Sequence, residues 1–280
     1  MSTKRIGWLG LGLIGLPMAA RLAAAGWEVR GFDINRDRLA LGGQRGIAPA
    51  ASLEDALKGA QLVFTSLPTE KALLDISAKL SAAPLWVETS TVGPQASARV
   101  AQTLSTSKGA YLRAPISGST NLAESGGLTT FVSGPKSAFD AARPALAAYS
   151  RAQIWLGEGE EARYAKLAVN LMVAVTAGMM GEALALARKG GIEWDAMLEI
   201  IGESVVASPL VKYKLDPLRR RDFTPAATSA LLLKDLDLMV EAARQAGLEV
   251  PLASHMQALY RGIMKSDLAR EDFFSIVKLS

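Results

Sequence analysis

The sequence of 280 residues places a lysine and an asparagine four positions apart in an otherwise apolar stretch, at Lys166 and Asn170. Residues with this spacing lie on the same face of a helix. A lysine amine beside an amide, in apolar surroundings, is a candidate for moving a proton. On spacing alone, the simpler interpretation is a lysine whose stem packs while its ammonium reaches water.

Few other side chains could transfer protons, because the sequence contains no cysteine and one histidine, His255. These counts exclude disulfides, thiol catalysis and metal sites built from cysteine or clustered histidine, and they argue against a Ser-His-Asp triad. We therefore expect no metal centre, and we expect His255 on a helix surface. Proton transfer is left to Lys, Tyr, Asp, Glu or a relay.

Three glycines near the start of the chain have the spacing of a dinucleotide-binding turn. Gly10, Gly12 and Gly15 form a G-x-G-x-x-G pattern between a predicted strand at 5–9 and a predicted helix at 13–25. In order, such glycines allow the tight turn, the close approach of backbone to a pyrophosphate, and close helix–strand packing. The helix N-terminus supplies N–H groups and a positive dipole end for the diphosphate. The alternative is a flavodoxin-like turn that binds nothing.

An acidic residue follows the second predicted strand, at 28–32. Asp33 stands at the distance along the chain at which a carboxylate can bond the ribose hydroxyls of a dinucleotide. Its charge would repel a 2′-phosphate, so we expect NAD to be preferred. Arg36, which follows closely, could offset that repulsion and leaves NADP possible.

The first half of the chain alternates strands with helices. This order predicts an α/β fold with a Rossmann-like dinucleotide-binding domain at 1–160, a mainly parallel sheet and helices on both faces. Ligands of such sheets bind beyond the carboxyl ends of the strands. Asp33, Pro68, Thr91 and the glycine turn all follow predicted strands, so we expect them to share one crevice. The further strands are predicted at 61–67, 85–88, 110–114, 128–132 and 153–156.

The second half of the chain contains only helical patterns. It predicts an all-α domain at 161–280, joined to the first by a long central helix at 161–189. Small residues along that helix and large apolar faces favour a subunit interface, so we expect a homodimer or homotetramer. Further helices are predicted at 194–202, 209–216, 228–247 and 251–265, with a weaker one from Arg270.

The net charge of +4 is a mild excess that suits an anionic cofactor and a small carboxylate substrate. It does not indicate nucleic acid, which is usually bound by clustered basic residues, and we interpret the arginine run at 219–221 as an exposed loop. Residues 1–5 lead directly into the first predicted strand, so we expect no secretory signal. The apolar stretch at 167–180 is shorter than a membrane span of about 20 residues. We expect a cytoplasmic protein that binds no membrane.

Two further segments could contact a small anion. The segment 114–119 follows a predicted strand and is predicted to be a loop that offers the Ser117 hydroxyl and backbone donors. Alone, it is merely a turn. Lys234 and Asp235 are adjacent within an apolar helical pattern, and alone they would form a local surface ion pair.

Four motifs occur in order along almost the whole chain: G-L-G-L-I-G-L-P-M at 10–18, P-I-S-G at 115–118, K-x-x-x-N at 166–170 and K-D at 234–235. Together they resemble the β-hydroxyacid dehydrogenase family, the group of 3-hydroxyisobutyrate dehydrogenase and tartronate semialdehyde reductase. The resemblance implies an NAD(P)-dependent oxidoreductase that interconverts a small β-hydroxy acid and its semialdehyde or keto acid by hydride transfer.

The resemblance also implies roles for the matching residues. Lys166 matches the general acid/base of the family, and Asn170 matches the asparagine that helps to hold the substrate and the lysine. Ser117 matches the loop that binds the substrate carboxylate, and we place it with Lys166 and Asn170 among the catalytic residues. Thr91 matches a threonine beside the nicotinamide ribose, and Lys234 matches a lysine that closes over cofactor and substrate.

The full predicted site divides into two sets. The predicted cofactor-binding residues are Gly10, Gly12, Leu13, Ile14, Gly15, Asp33, Leu67, Pro68, Thr91 and Lys234. The predicted substrate-binding residues are Ser117, Gly118, Ser119, Asn170 and Lys234.

Two positions depart from the family pattern. Ser119 stands where many members have glycine, and its side chain could narrow the pocket, as in the glyoxylate and succinic semialdehyde reductase branch. That branch prefers NADPH and usually lacks an acid at the end of the second strand, whereas Asp33 is present here. Glu88 stands where many members have aspartate, and we expect this change to be minor.

Two other functions are compatible with these motifs. Imine reductases share the fold and the glycine turn, but they usually carry a different residue at the position of Lys166. A non-catalytic dinucleotide-binding interaction module is the second alternative, and the joint presence of Lys166, Asn170 and Ser117 argues against it.

Overall fold

The computed structural model describes residues 5–81, 83–104 and 109–279. The chain forms two compact units, Met1–Lys166 and Leu167–Ser280.

The first unit is built on a nine-stranded, mainly parallel sheet with the strand order β3-β2-β1-β4-β5-β6-β8-β7, in which β9 also pairs with β8. The pairings of β8 with β6 and with β7 are antiparallel. This order and the intervening helices confirm the predicted Rossmann-like fold. Two strands escaped the sequence analysis, β3 and β7, because two residues are too few to show a period. The strands are β1 (Arg5–Leu9), β2 (Glu28–Phe32), β3 (Ala48–Pro49), β4 (Leu62–Thr65), β5 (Leu85–Glu88), β6 (Ala110–Arg113), β7 (Ile116–Ser117), β8 (Leu128–Ser133) and β9 (Ser150–Gly157).

Four helices of the first unit begin at a side chain that accepts a hydrogen bond from an N–H of the first turn. Asn35, Ser52, Thr69 and Ser119 each cap a helix in this way. Such caps satisfy backbone N–H groups that have no partner within the helix. The helices are α1 (Gly15–Ala24), α2 (Arg36–Gln44), α3 (Leu53–Leu57), α4 (Glu70–Ser77), α5 (Pro94–Thr103), α6 (Thr120–Ser125) and α7 (Lys136–Leu146).

The central strands bury both faces, because successive side chains of a strand point to opposite sides. On one face, Trp8 of β1 stacks on Phe64 of β4 with ring centroids 5.1 Å apart. On the other, Leu9 and Val63 pack in a separate cluster with Trp86. Helices therefore cover the sheet on both sides, and the loops at its carboxyl edge are left to bind ligands.

The second unit is helical. The weaker helix predicted from Arg270 differs in start and type: residues Phe273–Leu279 form a 3₁₀ helix. The N–H of Ser275 donates to the Asp272 carbonyl, three residues back, at 2.7 Å, and residues 273–277 are all buried, so the segment is a tight 3₁₀ turn with no exposed face. The helices are α8 (Glu161–Lys189), which begins in the first unit, α9 (Trp194–Glu203), α10 (Pro209–Arg219), α11 (Ser229–Gln245) and α12 (Pro251–Ile263).

Helix α8 is long and apolar enough to cross a membrane by length and composition. In the structure, 44 % of its most apolar window is buried inside the protein. Ala174, Ala177 and Met180 of this helix belong to the core of the second unit. A core role therefore explains the buried part of its apolar surface.

Candidate active site

The glycine turn after β1 packs closely against the chain that follows β4. Gly10 has a φ of +92°, and a Cβ there would lie 2.2 Å from the carbonyl oxygen of Ser66. A Cβ on Gly15 would lie 2.1 Å from the carbonyl oxygen of Gly10. Neither contact is possible for a larger residue, so both glycines are needed for the turn and for the close seating of α1.

Gly12 differs from its neighbours because a Cβ there would meet nothing within 4 Å. The open space lies beside the first turn of α1, whose N-terminal N–H groups favour an anion. The first turn contains no acidic residue. Leu13 is exposed and Ile14 is the N-cap residue. These features fit the diphosphate of a dinucleotide, and a side chain at position 12 would fill part of the space.

Asp33 joins the end of β2 to the glycine turn. Its carboxylate accepts the N–H of Leu11 at 2.7 Å and the N–H of Asn35 at 2.8 Å. A carboxylate has about four lone-pair sites, so two remain for ribose hydroxyls. The half-buried Asp33 thus places a negative charge beside the turn, with the exposed Arg36 at the start of α2.

The loops that follow β4 and β5 are bonded to each other. The N–H of Leu67 donates to the Ser90 hydroxyl at 2.7 Å, and the Thr89 hydroxyl donates to the carbonyl of Thr65 at 2.7 Å. Because these loops follow neighbouring parallel strands, Pro68 and Thr91 lie at the same edge of the sheet as the glycine turn. The structure therefore brings the predicted cofactor residues of the first unit to one edge.

A fully buried ion pair lies under the Ser90–Thr91 loop. Glu88, the last residue of β5, pairs with Arg163 of α8, and both side chains are 0 % exposed. Arg163 also donates to the Ser90 carbonyl at 2.9 Å, to the Ser97 hydroxyl at 3.2 Å and to the Tyr111 hydroxyl at 3.1 Å. Burial raises the pKa of Tyr111, so its phenol stays neutral within this network.

A second ion pair fixes the residue that precedes α8. Arg113 at the end of β6 donates to Glu160 at 2.9 Å through its Nε, and its guanidinium lies 4.8 Å from the ring centroid of Tyr111. The Ser133 hydroxyl of β8 accepts the N–H of Ala162 at 3.2 Å. The first turn of α8 is therefore attached to three strands of the sheet.

Lys166 follows Arg163 by one helical turn and is 9 % exposed. It lies within the first unit, on the helix whose start is fixed by the two ion pairs. Asn170 lies one further turn along the same helix and is also buried.

The predicted loop at 114–119 needs a correction. Ile116 and Ser117 form β7, which pairs with β8 so that Ser117 faces Thr129 in the register. Gly118 is exposed with a φ of +138°, and a Cβ there would lie 2.7 Å from the Leu128 side chain. Ser119 caps α6, because its hydroxyl accepts the N–H of Leu122. Ser119 therefore has a local role as a helix cap, which accounts for its side chain without any narrowing of the substrate pocket.

In the second unit, an aspartate joins two predicted site residues. The Asn170 amide donates to Asp235 Oδ2 at 2.8 Å, and Lys234 Nζ lies 3.1 Å from Asp235 Oδ1. Asp235 is buried, so this is more than a surface ion pair. Sequence reasoning noticed the Lys-Asp pair but left Asp235 out of the site. The signal that could have identified Asp235 is an acidic residue within an otherwise apolar helical pattern.

His255 is exposed on α12, as expected. Over the described ranges, no group of three His, Cys, Asp or Glu side chains could hold a metal ion.

Both halves of the chain match known families. Residues 5–157 match the NAD binding domain of 6-phosphogluconate dehydrogenase. Residues 160–280 match the family described as NAD-binding of NADP-dependent 3-hydroxyisobutyrate dehydrogenase.

Individual relatives match over nearly the whole length. The NAD-dependent L-serine dehydrogenase of Pseudomonas aeruginosa is 32 % identical, over 99 % of this chain and 97 % of its own. The probable mitochondrial 3-hydroxyisobutyrate dehydrogenase of Arabidopsis thaliana is 28 % identical, over 98 % and 87 %. The structure of Mycobacterium tuberculosis 3-hydroxyisobutyrate dehydrogenase with L-serine, 28 % identical, has a TM-score of 0.90 over 99 % of both chains. The chain therefore belongs to the β-hydroxyacid dehydrogenase family, the NAD(P)-dependent oxidoreductases of hydroxy acids and semialdehydes.

Proposed function

We propose that this protein interconverts a small β-hydroxy acid with its semialdehyde or keto acid, prefers NAD, and uses Lys166 as the general acid/base. The observation that carries the proposal is the burial of Lys166 on α8, one turn beyond the anchored Arg163. A lysine at this position would be kept from free rotation in water and could be aimed at one substrate atom.

Lys166 would move the proton of the reacting hydroxyl. In oxidation the neutral amine takes that proton, and in reduction the ammonium returns it to the carbonyl oxygen. A free lysine has a pKa of about 10.4, so oxidation at neutral pH requires a site that stabilises the neutral amine. The nicotinamide, when bound, accepts or supplies the hydride.

The cofactor would be held by the edge of the sheet described above. The N–H groups at the start of α1, from Gly12 to Gly15, would bind the diphosphate. Asp33 would bond the ribose hydroxyls and disfavour a 2′-phosphate. The loops containing Pro68 and Thr91 would support the nicotinamide ribose, and Lys234 would close over the cofactor.

The substrate would be recognised by its carboxylate. We assign this group to the Ser117 hydroxyl, the backbone N–H groups near Gly118, and Lys234. Asn170 would orient the substrate beside Lys166. L-serine and 3-hydroxyisobutyrate, the compounds in the names of the relatives, both carry a carboxylate and a hydroxyl on the β-carbon, which supports this substrate class.

A substrate panel tests the proposal and separates it from the alternatives. With NAD, β-hydroxy acids should turn over, whereas matched alcohols without the carboxylate should not. A hydrogen bond to a charged group contributes about 1.5–3 kcal/mol, so Ser117→Ala should lower kcat/KM for acids by roughly 10- to 100-fold. Ser125→Ala, on the exposed end of α6, is the matched control and should have no effect.

Two outcomes would refute the assignment. Equal turnover of acids and neutral analogues, with Ser117→Ala affecting both alike, would favour an imine or neutral-carbonyl reductase. Tight NAD binding without turnover of any compound would favour a non-catalytic module.

A further inference from the structure

We propose that Arg163 is a positioning residue for the reaction. Through Glu88 and the Ser90 carbonyl, it sets the place of Lys166 relative to the loop that carries Thr91. The inference rests on the proposed role of Lys166 as the general acid/base.

Arg163 is bonded both to the helix that carries Lys166 and to the loop that carries Thr91. Its side chain reaches Glu88 at the end of β5 and the Ser90 carbonyl, one residue before Thr91. Its backbone is part of α8, three residues before Lys166. Three residues of a helix span about 4.5 Å along the axis, and the intervening backbone is rigid. A shift of Arg163 would therefore displace Lys166 by a similar amount.

The network uses the particular shape of arginine. Four acceptors surround the guanidinium: Glu88 Oε2, the Ser90 carbonyl, Ser97 Oγ and Tyr111 Oη. A guanidinium offers five N–H donors in a planar fork, whereas an ammonium offers three from a single point. Lysine at position 163 would keep the charge and lose this simultaneous set of bonds.

Stability alone is a weak reason for such a pair. Burying two charges costs hydration, and apolar residues of similar size often serve stability as well or better. What a fully bonded buried pair does provide is one defined geometry, since any displacement leaves a charge without its partner. That property matches a group that must place a catalytic amine.

Glu88 reaches Arg163 with a side chain one methylene longer than aspartate. The sequence analysis expected the difference between Glu88 and the aspartate of many relatives to be minor. In this chain the longer side chain is matched to an arginine on α8, so the two positions should be considered together.

The test compares Arg163→Lys and Glu88→Asp with the unmodified enzyme. Misplacement of a catalytic group by about 1 Å can cost 100-fold, so kcat should fall roughly 10- to 100-fold in each variant. The dissociation constant of NAD should change much less than kcat, because the variants leave the glycine turn and Asp33 untouched. The primary deuterium isotope effect on kcat, measured with substrate deuterated at the reacting carbon, should rise because the chemical step becomes slower.

A stability-matched control removes the effect of a lower melting temperature. Leu146→Ala creates a cavity in the core of the first unit, where Leu146 is 0 % exposed, and it should lower Tm. Assayed below its Tm, this variant should keep both kcat and the isotope effect. If Arg163→Lys behaves like Leu146→Ala, Arg163 is merely structural and the inference is wrong.

Two milder variants cover the case in which the ion-pair variants do not fold. Tyr111→Phe and Ser97→Ala each remove one acceptor of Arg163. Each variant should lower kcat and raise the isotope effect. If kcat and the isotope effect are unchanged in both variants, the inference is wrong.

Lys166→Ala, assayed in parallel, separates the positioning role of Arg163 from the proposed function. Full activity of Lys166→Ala contradicts the proposed function itself, whereas loss of activity there together with normal Arg163 and Tyr111 variants contradicts only the positioning role.

Discussion

At the scale of the residue, we propose that Asp33 sets the preference for NAD over NADP. Its carboxylate accepts backbone N–H groups on both sides, from Leu11 and Asn35, so its position is fixed before any ligand binds. A fixed carboxylate repels a phosphate and can still accept hydrogen bonds from ribose hydroxyls. The nearby Arg36 is exposed and would have to move its charge toward the phosphate to compensate.

We therefore expect NAD to exceed NADP in kcat/KM, and Asp33→Ser to narrow that difference by weakening NAD and relieving the repulsion. Steady-state kinetics with both cofactors measures this. Asp37→Ser removes another acid from the first turn of α2 and serves as the control, with the preference retained. A wild-type enzyme that prefers NADP would contradict the prediction and would assign Arg36 to the phosphate.

Single residues also show what the sequence could and could not reveal. The spacing of Lys166 and Asn170 is a local signal, because helical periodicity places them on one face. Arg163 and Glu88 are 75 positions apart, and no spacing rule joins residues from a strand and a distant helix. Asp235 was visible as an acid in an apolar helix, but its bond to Asn170 depends on how α8 and α11 pack within the second unit.

At the scale of the element, the long and periodic segments were the most predictable. The sequence analysis placed the central helix at 161–189, the same bounds as α8. Its long apolar pattern and the closing glycines are strong signals. Strand β7 was missed because its pairing with β8 depends on a partner elsewhere in the chain. The segment after Arg270 was expected to be an ordinary helix and is a short 3₁₀ helix, because residues 273–277 are buried all round and so show no amphipathic period in the sequence.

Helix α8 also carries an exposed apolar face, which bears on assembly. Met172, Met179 and Leu186 recur every seven residues and are 70 %, 48 % and 76 % exposed. Seven residues make about two helical turns, so these side chains form one stripe. Large exposed apolar patches favour an interface. We propose that this stripe joins copies of the chain into a homodimer or homotetramer.

The assembly prediction is tested by light scattering at micromolar concentration. The unmodified protein should be oligomeric, and Met179→Glu together with Leu186→Glu should shift it toward smaller species, because burying an unpaired carboxylate is costly. Leu41→Glu, on the first unit, is the matched control and should leave the mass unchanged. A monomeric unmodified protein would contradict the proposed interface.

At the scale of the whole molecule, a tyrosine buried in each of the two units makes the free energy of unfolding sensitive to high pH. Burial raises the pKa of Tyr149 in the first unit. Burial, assisted by the negative charge of Asp272, raises the pKa of Tyr260 in the second. In the unfolded chain these phenols ionise near a pKa of about 10. Above that pH the folded state binds more protons than the unfolded state, so the free energy of unfolding falls as pH rises.

Urea unfolding on either side of that pH, followed by tyrosinate absorbance, measures this linkage. Each buried tyrosine should contribute a loss of about 1.4 kcal/mol per pH unit above its unfolded pKa. Tyrosinate from Tyr149 and Tyr260 should form only as the protein unfolds, and Tyr149→Phe should reduce the slope. Ionisation of both phenols in the still-folded protein would contradict the assigned burial.

The most direct test of the whole account is the turnover of Lys166→Ala with NAD and a β-hydroxy acid. General acid/base groups contribute about 10²–10⁴-fold, so kcat should fall by that factor while the dissociation constant of NAD stays the same. Lys189→Ala, which removes an exposed lysine from the end of the same helix, should retain full activity. If kcat of Lys166→Ala stays within a few fold of the unmodified enzyme, Lys166 is not the general acid/base and the central claim is wrong.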